Sequence, residues 1–188
     1  MPRFQPTTLD TAPDASKPLL EAVQSKLGRV PNIYGTMAHA PAVLKFALQG
    51  SGILGETSLS AAVREQIALT VAGANQCEYC AAAHTAIGKM NGLDDDQTTA
   101  ALRAEADDPQ AQAAVTLARQ LVEREGHPTD DQIAAFKAAG YGDQQVQEII
   151  AVVAFNIFTN YFNHVAQTDI DFPQVELPEA VGAVGAVG

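Results

Sequence analysis

The sequence predicts an all-α protein, and its composition carries this prediction. Alanine and other helix-forming residues recur along the chain, while alternating runs of valine, isoleucine and threonine of the kind found in strands are scarce. Hydrophobic residues make up 47% of the 188 positions, which is normal for a folded protein with a core. We therefore expect one domain, a single-domain helical bundle.

Glycine and proline set the first element boundaries. Residues 1–15 are rich in proline and threonine and are predicted to be extended. A helix is predicted over about 16–27, where Gly28 stops it. The segment RVPNIYG at 29–35 is predicted to be a turn-like connector, because Pro31 disfavours helix.

Proline openings, small polar caps and glycine stops delimit the remaining helices. Ser58 or Ser60 can cap the helix before the CEYCAAAH motif, and Thr129 and Asp143 can cap the last two helices. Seven further helices are predicted, over about residues 41–52, 60–73, 77–90, 94–104, 109–124, 130–139 and 143–168. The helical core then spans about 16–173, and 174–188 is a low-complexity tail ending in AVGAVGAVG, to which we assign no structure.

The net charge of -11 limits the classes of partner. An acidic surface repels phosphate backbones, so we expect no nucleic-acid partner. We also expect no membrane partner, because no uninterrupted apolar run reaches the roughly 20 residues that span a bilayer. The N-terminus lacks the apolar core of a secretory signal, so a cytoplasmic location is expected.

The stretch CEYCAAAH at 77–84 holds both cysteines of the chain. At about 100° per residue, Cys77, Cys80 and His84 fall on one face of a helix. Two intervening residues let the sulfurs meet in a small disulfide ring, and the first turn of a helix favours thiolate. A histidine one turn further can accept or relay the thiol proton. This spacing predicts a redox-active pair.

Glu65 precedes Cys77 by twelve residues, in the helix before the turn. If the two helices pack as an antiparallel pair, Glu65 can face His84 and raise its basicity. Other interpretations stay open at this point. The cysteines could be an inert buried pair, or could bind zinc with His84 and a fourth ligand from elsewhere in the chain. Glu65 could be an ordinary surface glutamate.

Residues around this motif resemble a known family. The stretch EQIALTVAGANQCEYCAAAHTAIGKMNGL is similar to the carboxymuconolactone decarboxylase superfamily, in its alkylhydroperoxidase D-like, peroxidase-related branch. That branch carries a glutamate, a CxxC twelve positions later and a histidine four past the second cysteine. The resemblance extends over about residues 30–173 and is strongest over 58–93.

The resemblance implies a fold, an activity and partners. It implies an all-helical homo-oligomer, trimeric or hexameric, with thiol peroxidase or disulfide reductase activity. Cys80 would attack a hydroperoxide, Cys77 would resolve the sulfenic acid to a disulfide, His84 would relay protons and Glu65 would be its base. A dithiol, such as a lipoyl protein, would reduce the disulfide. No cofactor beyond the Cys77–Cys80 pair and no metal is expected.

Further residues are candidates for the substrate pocket. Tyr79 stands where some family members have a second histidine, and a tyrosine relays protons less readily near neutral pH. His164 and Asn160 belong to a polar stripe on the last helix, which could line the pocket or form an inter-helix hydrogen-bond network. Tyr34 and Met37 could form a lid or simply pack in the core.

Three other functions remain open from the sequence. The fold could carry a redox-sensing module that switches without multiple turnover, a metal-binding protein, or a decarboxylase-like enzyme that does no redox chemistry. The cysteine pair argues against the last, because the lactone decarboxylases of the family work without one.

Overall fold

The computed structural model describes residues 1–179, and these form helices without a strand. The predicted all-α class is therefore confirmed. The AVG repeat at 180–188 lies outside the described residues. The helices of the described part are α1 (Lys17–Leu27), α2 (Asn32–Met37), α3 (Pro41–Leu54), α4 (Ala61–Ala74), α5 (Glu78–Met90), α6 (Asp95–Ala101), α7 (Pro109–Glu123), α8 (Asp130–Ala138) and α9 (Asp143–Ala166).

The predicted connector at 29–35 is partly wrong, because α2 begins within it. Pro31 is the N-cap of this helix, with φ of -57° and ψ of 145°. A proline restricts the residue before it but is well suited to the start of a helix, since it has no N–H to satisfy there. The N–H of Asn32 instead donates to the Asp171 carboxylate at 3.0 Å. A residue far along the chain thus stabilises this short helix.

Two predicted caps are decided by the structure. Ser60 caps α4, with its hydroxyl oxygen accepting from the N–H of Val63 at 3.2 Å. Ser58 does not cap, because its N–H and hydroxyl both donate to the Glu148 carboxylate, at 3.0 and 2.6 Å. Asp143 is the first residue of α9 rather than its cap, which is Gly142.

Helix α4 lies at the centre of the bundle and contacts α5, α7 and α9. All eight residues from Gln66 to Gly73 are buried. A Cβ at Gly73 would lie 2.0 Å from the carbonyl oxygen of Leu102, so glycine is required where α4 meets the end of α6. This central position holds Glu65 in place against α5.

A tight turn joins α4 to α5 just before the cysteines. Gln76 takes a left-handed conformation with φ of 54°, which non-glycine residues rarely adopt. Its side-chain amide donates to the carbonyl oxygens of Gly73 and Pro178, at 2.8 and 3.1 Å. These bonds stabilise the reversal of the chain, which lays α5 back along α4.

Helix α9 is long and apolar enough, by length and composition, to cross a membrane. Its most apolar 18-residue stretch has a mean hydropathy of 1.3, and 39% of that stretch is buried. The sequence expectation concerned an uninterrupted apolar run, and asparagines interrupt the run in α9, whereas an average over the helix tolerates them. The core helix of a globular protein meets the same criterion. Asn156, Asn160 and Asn163 are buried against the rest of the bundle, as in a core helix.

Candidate active site

The two cysteines lie at the N-terminus of α5 and are both reduced. Cys77 is the N-cap residue and Cys80 lies in the first turn. Their residues are only 1% and 3% exposed. Unpaired N–H groups at a helix start favour negative charge, so this placement favours a thiolate at Cys80.

His84 and Glu65 form the contact that the helix pairing predicts. Nδ1 of His84 lies 2.7 Å from a carboxylate oxygen of Glu65, and both side chains are largely buried. The carboxylate fixes the orientation of the ring and favours the tautomer, or the cation, that carries a proton on Nδ1. Nε2 of His84 is then free to exchange a proton with a third group.

Asn163 is the site residue that the sequence did not single out. Its side-chain amide donates to the sulfur of Cys80 at 3.2 Å. It belongs to the polar stripe of α9, from which only Asn160 and His164 were selected as pocket candidates. The stripe itself is the signal that could have found it, because a buried asparagine needs a partner.

The surroundings separate the pKa values of the two thiols. The pKa of Cys80 is lowered to about 6. The hydrogen bond from Cys77 contributes most to this lowering, burial opposes it, and His84 and Asn163 add to it. The pKa of Cys77 shifts in the opposite direction, because the hydrogen bond to Cys80 and burial both raise it. The pair therefore holds one negative charge, on Cys80.

The protonation of His84 follows from its two charged neighbours. Burial lowers the pKa of His84, but the Glu65 carboxylate and the charge on Cys80 outweigh burial and raise it above its ordinary value. A cationic imidazole beside a thiolate is the usual arrangement for an activated cysteine.

Cys80 opens into a cavity of about 420 Å³. Glu65 and His84 line it, and the rest of its wall is mainly apolar. Aliphatic and aromatic residues from α2, α3, α5, α9 and the C-terminal segment supply that wall, among them Ile33, Tyr34, Met37, Ile87, Phe155 and Phe172. Lys26 and Arg29 add positive charge. The cavity can hold an organic molecule with its reactive atom at Cys80.

Cys77 lines a different opening, a cleft of about 310 Å³. The end of α9 forms one side through Asn163, His164 and the residues just after the helix. His164 is exposed, with no polar contact to either thiol, and its ring lies 6.5 Å from that of Tyr161. The structure thus places His164 beside Cys77, away from the Cys80 cavity.

Tyr79 is tied into a structural network. Its hydroxyl donates to Asp171 at 2.8 Å and accepts from the N–H of Ile33 at 3.2 Å. Asp171 also pairs with Arg29 at 2.6 Å, and burial foremost raises the pKa of Tyr79. A phenol held in this way is not placed to relay protons to His84, so the ring serves as a wall.

The remaining candidates divide between site and scaffold. Asn160 is fully buried and accepts a hydrogen bond from Asn75 at 3.0 Å, which ties α9 to the α4–α5 turn. Tyr34 and Met37 line the Cys80 cavity, with Met37 packed in the core. Within residues 1–179, no group of three or more histidine, cysteine, aspartate or glutamate residues is arranged to hold a metal ion.

The comparison with protein families agrees with the resemblance found in the sequence. Residues 41–123, which include Glu65, Cys77, Cys80 and His84, match the model of the carboxymuconolactone decarboxylase family. The resemblance seen in the sequence is thereby confirmed over residues 41–123. Among curated proteins, no match was found.

Several solved structures share the fold. A peroxidase-related protein of Ralstonia eutropha JMP134, described as an alkylhydroperoxidase AhpD core, is 24% identical over 90% of this chain and 92% of its own, with a TM-score of 0.83. A peroxidase-related protein of Silicibacter sp. TM1040 is 24% identical over 84% and 85%, with a TM-score of 0.77. The debrominase Bmp8 is 20% identical over 90% and 92%, with a TM-score of 0.76. The fold is therefore the alkylhydroperoxidase D-like one.

Proposed function

We propose that this chain, whose residues 41–123 match the carboxymuconolactone decarboxylase family, is a thiol-dependent peroxidase or disulfide reductase that reduces hydroperoxides. One observation carries the proposal. The sulfur of Cys80 accepts a hydrogen bond from Asn163 and opens into an organic-sized cavity that His84 and Glu65 also line. An activated thiolate with a second thiol three residues away suits two-electron redox chemistry.

The oxidative steps use both thiols. The Cys80 thiolate attacks the distal oxygen of a hydroperoxide, the O–O bond breaks, and the departing alkoxide takes a proton, giving an alcohol and Cys80 sulfenic acid. The Cys77 thiol then attacks this sulfur, and water leaves as the disulfide forms. The raised pKa of Cys77 keeps it as a thiol until that step.

His84 and Glu65 supply the proton. The Glu65 carboxylate and the charge on Cys80 raise the pKa of His84 and so favour the protonated imidazole, which can protonate the leaving alkoxide through Nε2. A carboxylate oxygen of Glu65 lies 2.7 Å from Nδ1 of His84 and stabilises the imidazolium cation before its proton is transferred. The same imidazole can carry the proton of Cys77 to the departing hydroxyl, which leaves as water. His84 is neutral at the disulfide stage and regains its proton when the dithiol reduces the pair.

The reductant and the assembly are part of the proposal. A dithiol, for example on a lipoyl protein, would return the disulfide to two thiols, and no cofactor other than this pair is needed. A pair that must be returned to two thiols after each turnover suits the cytoplasm, where thiols are kept reduced. Exposed apolar residues on α3 and α9, among them Phe46, Ile53 and Tyr161, suit a homo-oligomer of trimer or hexamer type.

A thiol-loss and turnover experiment tests the function. The reduced protein is mixed with one equivalent of cumene hydroperoxide while free thiols are counted. Dihydrolipoamide is then supplied in excess and peroxide consumption is followed. Loss of both thiols with many turnovers supports a peroxidase. Loss of both thiols without turnover supports a redox switch, and no thiol loss contradicts the redox function.

A second candidate function is reductive dehalogenation. The debrominase Bmp8 shares the fold, and the structure of its cysteine-to-alanine variant holds 2,3,4-tribromopyrrole. The Cys80 cavity of this chain is similarly suited to an aromatic ring, with Tyr34, Phe155 and Phe172 in its wall. Two thiols would replace carbon-bound bromine by hydrogen, releasing bromide and forming the disulfide. Bromide release from a bromopyrrole, measured beside peroxide consumption, separates the two functions.

A further inference from the structure

The two thiols of the pair line two different openings. Cys80 lines the 420 Å³ cavity and Cys77 lines the 310 Å³ cleft. Among the residues of the described chain that line these two openings, Tyr79 is the one that they share. The openings are therefore separate approaches to the two sulfurs, and Tyr79 forms part of the wall of both.

Tyr79 is held firmly enough to act as a partition. Its hydroxyl is bonded to Asp171 and to the N–H of Ile33, and its ring packs edge-on against Phe172 with centroids 5.8 Å apart. The residue is 4% exposed. A buried ring with both ends fixed has one conformation, so the two openings do not merge by a side-chain rotation.

The Cys77 cleft contains buried polar atoms that point to a ligand. Oδ1 of Asn163 and Oγ1 of Thr168 have no hydrogen-bond partner within the described residues. Both residues line the cleft and are only 4% and 8% exposed. A buried polar atom without a partner is unfavourable, so such atoms commonly mark a place where a ligand supplies the missing hydrogen bond.

We propose that this cleft is the binding site of the reductant, a dithiol on a slender arm, and that Tyr79 separates it from the cavity in which the hydroperoxide reacts. The proposal rests on the redox function of the pair. It assigns His164 and Thr168 to the reductant rather than to the hydroperoxide, while Asn163 lines the cleft and also contacts the Cys80 sulfur. It also gives a role to Tyr79, the position at which the chain departs from some members of its family.

The chemistry of disulfide exchange favours entry on the Cys77 side. A thiolate of the dithiol attacks the Cys77 sulfur, a new S–S bond forms to that sulfur, and Cys80 leaves as a thiolate. Asn163 stabilises this leaving group through its hydrogen bond of 3.2 Å. A thiol of lowered pKa leaves faster, which makes Cys80 the better leaving group.

The second thiol of the same dithiol completes the reduction. It attacks its own partner sulfur, which is bonded to Cys77, and expels the Cys77 thiolate. The dithiol ends as a cyclic disulfide, and its two protons pass to Cys77 and to the His84 relay or water. Two electrons thus move from the dithiol to the cysteine pair.

The dimensions of the cleft indicate a slender carrier. Cys77 is 1% exposed, so an attacking sulfur must travel into the cleft to reach it. A volume of about 310 Å³ admits an open-chain dithiol and part of an alkyl chain. A dithiol that is fixed in the surface of a folded protein cannot enter the cleft to reach Cys77.

A trapping experiment tests which sulfur is attacked. The full-length protein is oxidised with diamide, mixed briefly with glutathione, quenched with acid and N-ethylmaleimide, and digested for mass spectrometry. We expect glutathione on Cys77 and maleimide on Cys80. Glutathione on Cys80, or equally on both cysteines, would overturn the proposal.

Two matched variants test the separation of the openings. His164→Trp fills the Cys77 cleft, and Ser51→Trp, on the exposed part of α3, fills the Cys80 cavity. His164→Trp should slow reduction by dihydrolipoamide about tenfold and leave oxidation by cumene hydroperoxide within about twofold, and Ser51→Trp should do the reverse. If either variant slows both half-reactions alike, or neither slows its own, the separation is wrong.

The two proposals fail in different ways. A wild-type protein whose thiols do not react with hydroperoxide contradicts the peroxidase function. The trapping and dihydrolipoamide measurements start from a disulfide made with diamide, so they still decide where the reductant enters. Thermal unfolding of both tryptophan variants establishes that each is folded before its rates are compared.

Discussion

The two halves of α9 lie in the same bundle but face different surroundings. The N-terminal half places Ile149, Val152 and Val153 in an apolar cluster with α4, α7 and α8. The C-terminal half buries Asn160 and Asn163 beside the cysteine pair. The first half gains stability from apolar burial, while the second carries buried polar groups that cost stability unless they are paired. Under the proposed function, the polar half serves the chemistry of the cysteine pair.

The largest expected effect comes from the thiol at the polar end. Cys80→Ser should lower hydroperoxide turnover by roughly a thousandfold or more, because serine is not a nucleophile toward peroxide at neutral pH. The free energy of unfolding should change by only about 1 kcal/mol, since the hydroxyl can still accept from Asn163. Steady-state kinetics and urea unfolding measure the two quantities. Near-normal turnover would refute the proposed mechanism.

The opposite outcome is expected in the apolar half. Ile149 is fully buried, so Ile149→Ala should lower the free energy of unfolding by about 2–5 kcal/mol. Turnover per folded molecule should stay close to the wild-type value, because Ile149 belongs to an apolar cluster that contains neither cysteine. Ile150→Ala, at a neighbouring position that is 49% exposed, is the control and should change stability by only about 0.5 kcal/mol. Equal losses at both positions would contradict the division of α9.

The relay can be tested by its pH dependence. Glu65→Gln removes the carboxylate that helps keep His84 cationic, so the pKa of Cys80 should rise from about 6 toward that of an ordinary thiol. The rate of Cys80 alkylation by iodoacetamide, followed from pH 4 to 10, should show this rise in its midpoint. Turnover at pH 7 should fall by roughly a hundredfold.

Glu56→Gln, at an exposed position before α4, is the control for this measurement and should keep the wild-type midpoint. The alkylation rate is measured in the Cys77→Ser background as well as in the wild type, so that the signal is assigned to Cys80. An unchanged midpoint in Glu65→Gln would show that the carboxylate does not act through His84.

The smallest expected effect is that of the hydrogen bond from α9. Asn163→Ala removes the donor to Cys80 and should raise the pKa of that thiol, slowing oxidation by hydroperoxide at pH 6 about tenfold. Asn163→Asp should raise the pKa further, because a carboxylate repels the thiolate. The alkylation profile orders the two variants. A midpoint in Asn163→Asp that lies at or below the wild-type value would contradict the contact.

Much of the candidate site was predictable from local pattern. The spacing of Glu65, Cys77, Cys80 and His84 follows from the helical period and one short turn, so the sequence contains the information that brings them to one place. The contact between Glu65 and His84 at 2.7 Å is the product of that pattern. The functional roles of these residues remain predictions.

Other parts needed contacts between distant segments. The polar stripe of α9 contains Asn160, Asn163 and His164 within a narrow arc, and only the docking of α9 on α5 decides that Asn163 touches Cys80 while His164 faces solvent. The start of α2 depends similarly on Asp171, which lies 139 positions along the chain from Asn32. The helical period of a sequence does not encode how far one helix is shifted or rotated against another.

By itself, the sequence determined the helical class, most helix boundaries and the identity of the thiol pair with its glutamate and histidine. These features depend on residues close together in the chain, where propensity and period act. The tertiary structure alone decided that Cys80 opens into an apolar cavity, that Cys77 opens into a separate cleft, and that Tyr79 forms part of the wall of both. Such openings form where distant segments meet, and their shape depends on long-range packing rather than on any local stretch of residues.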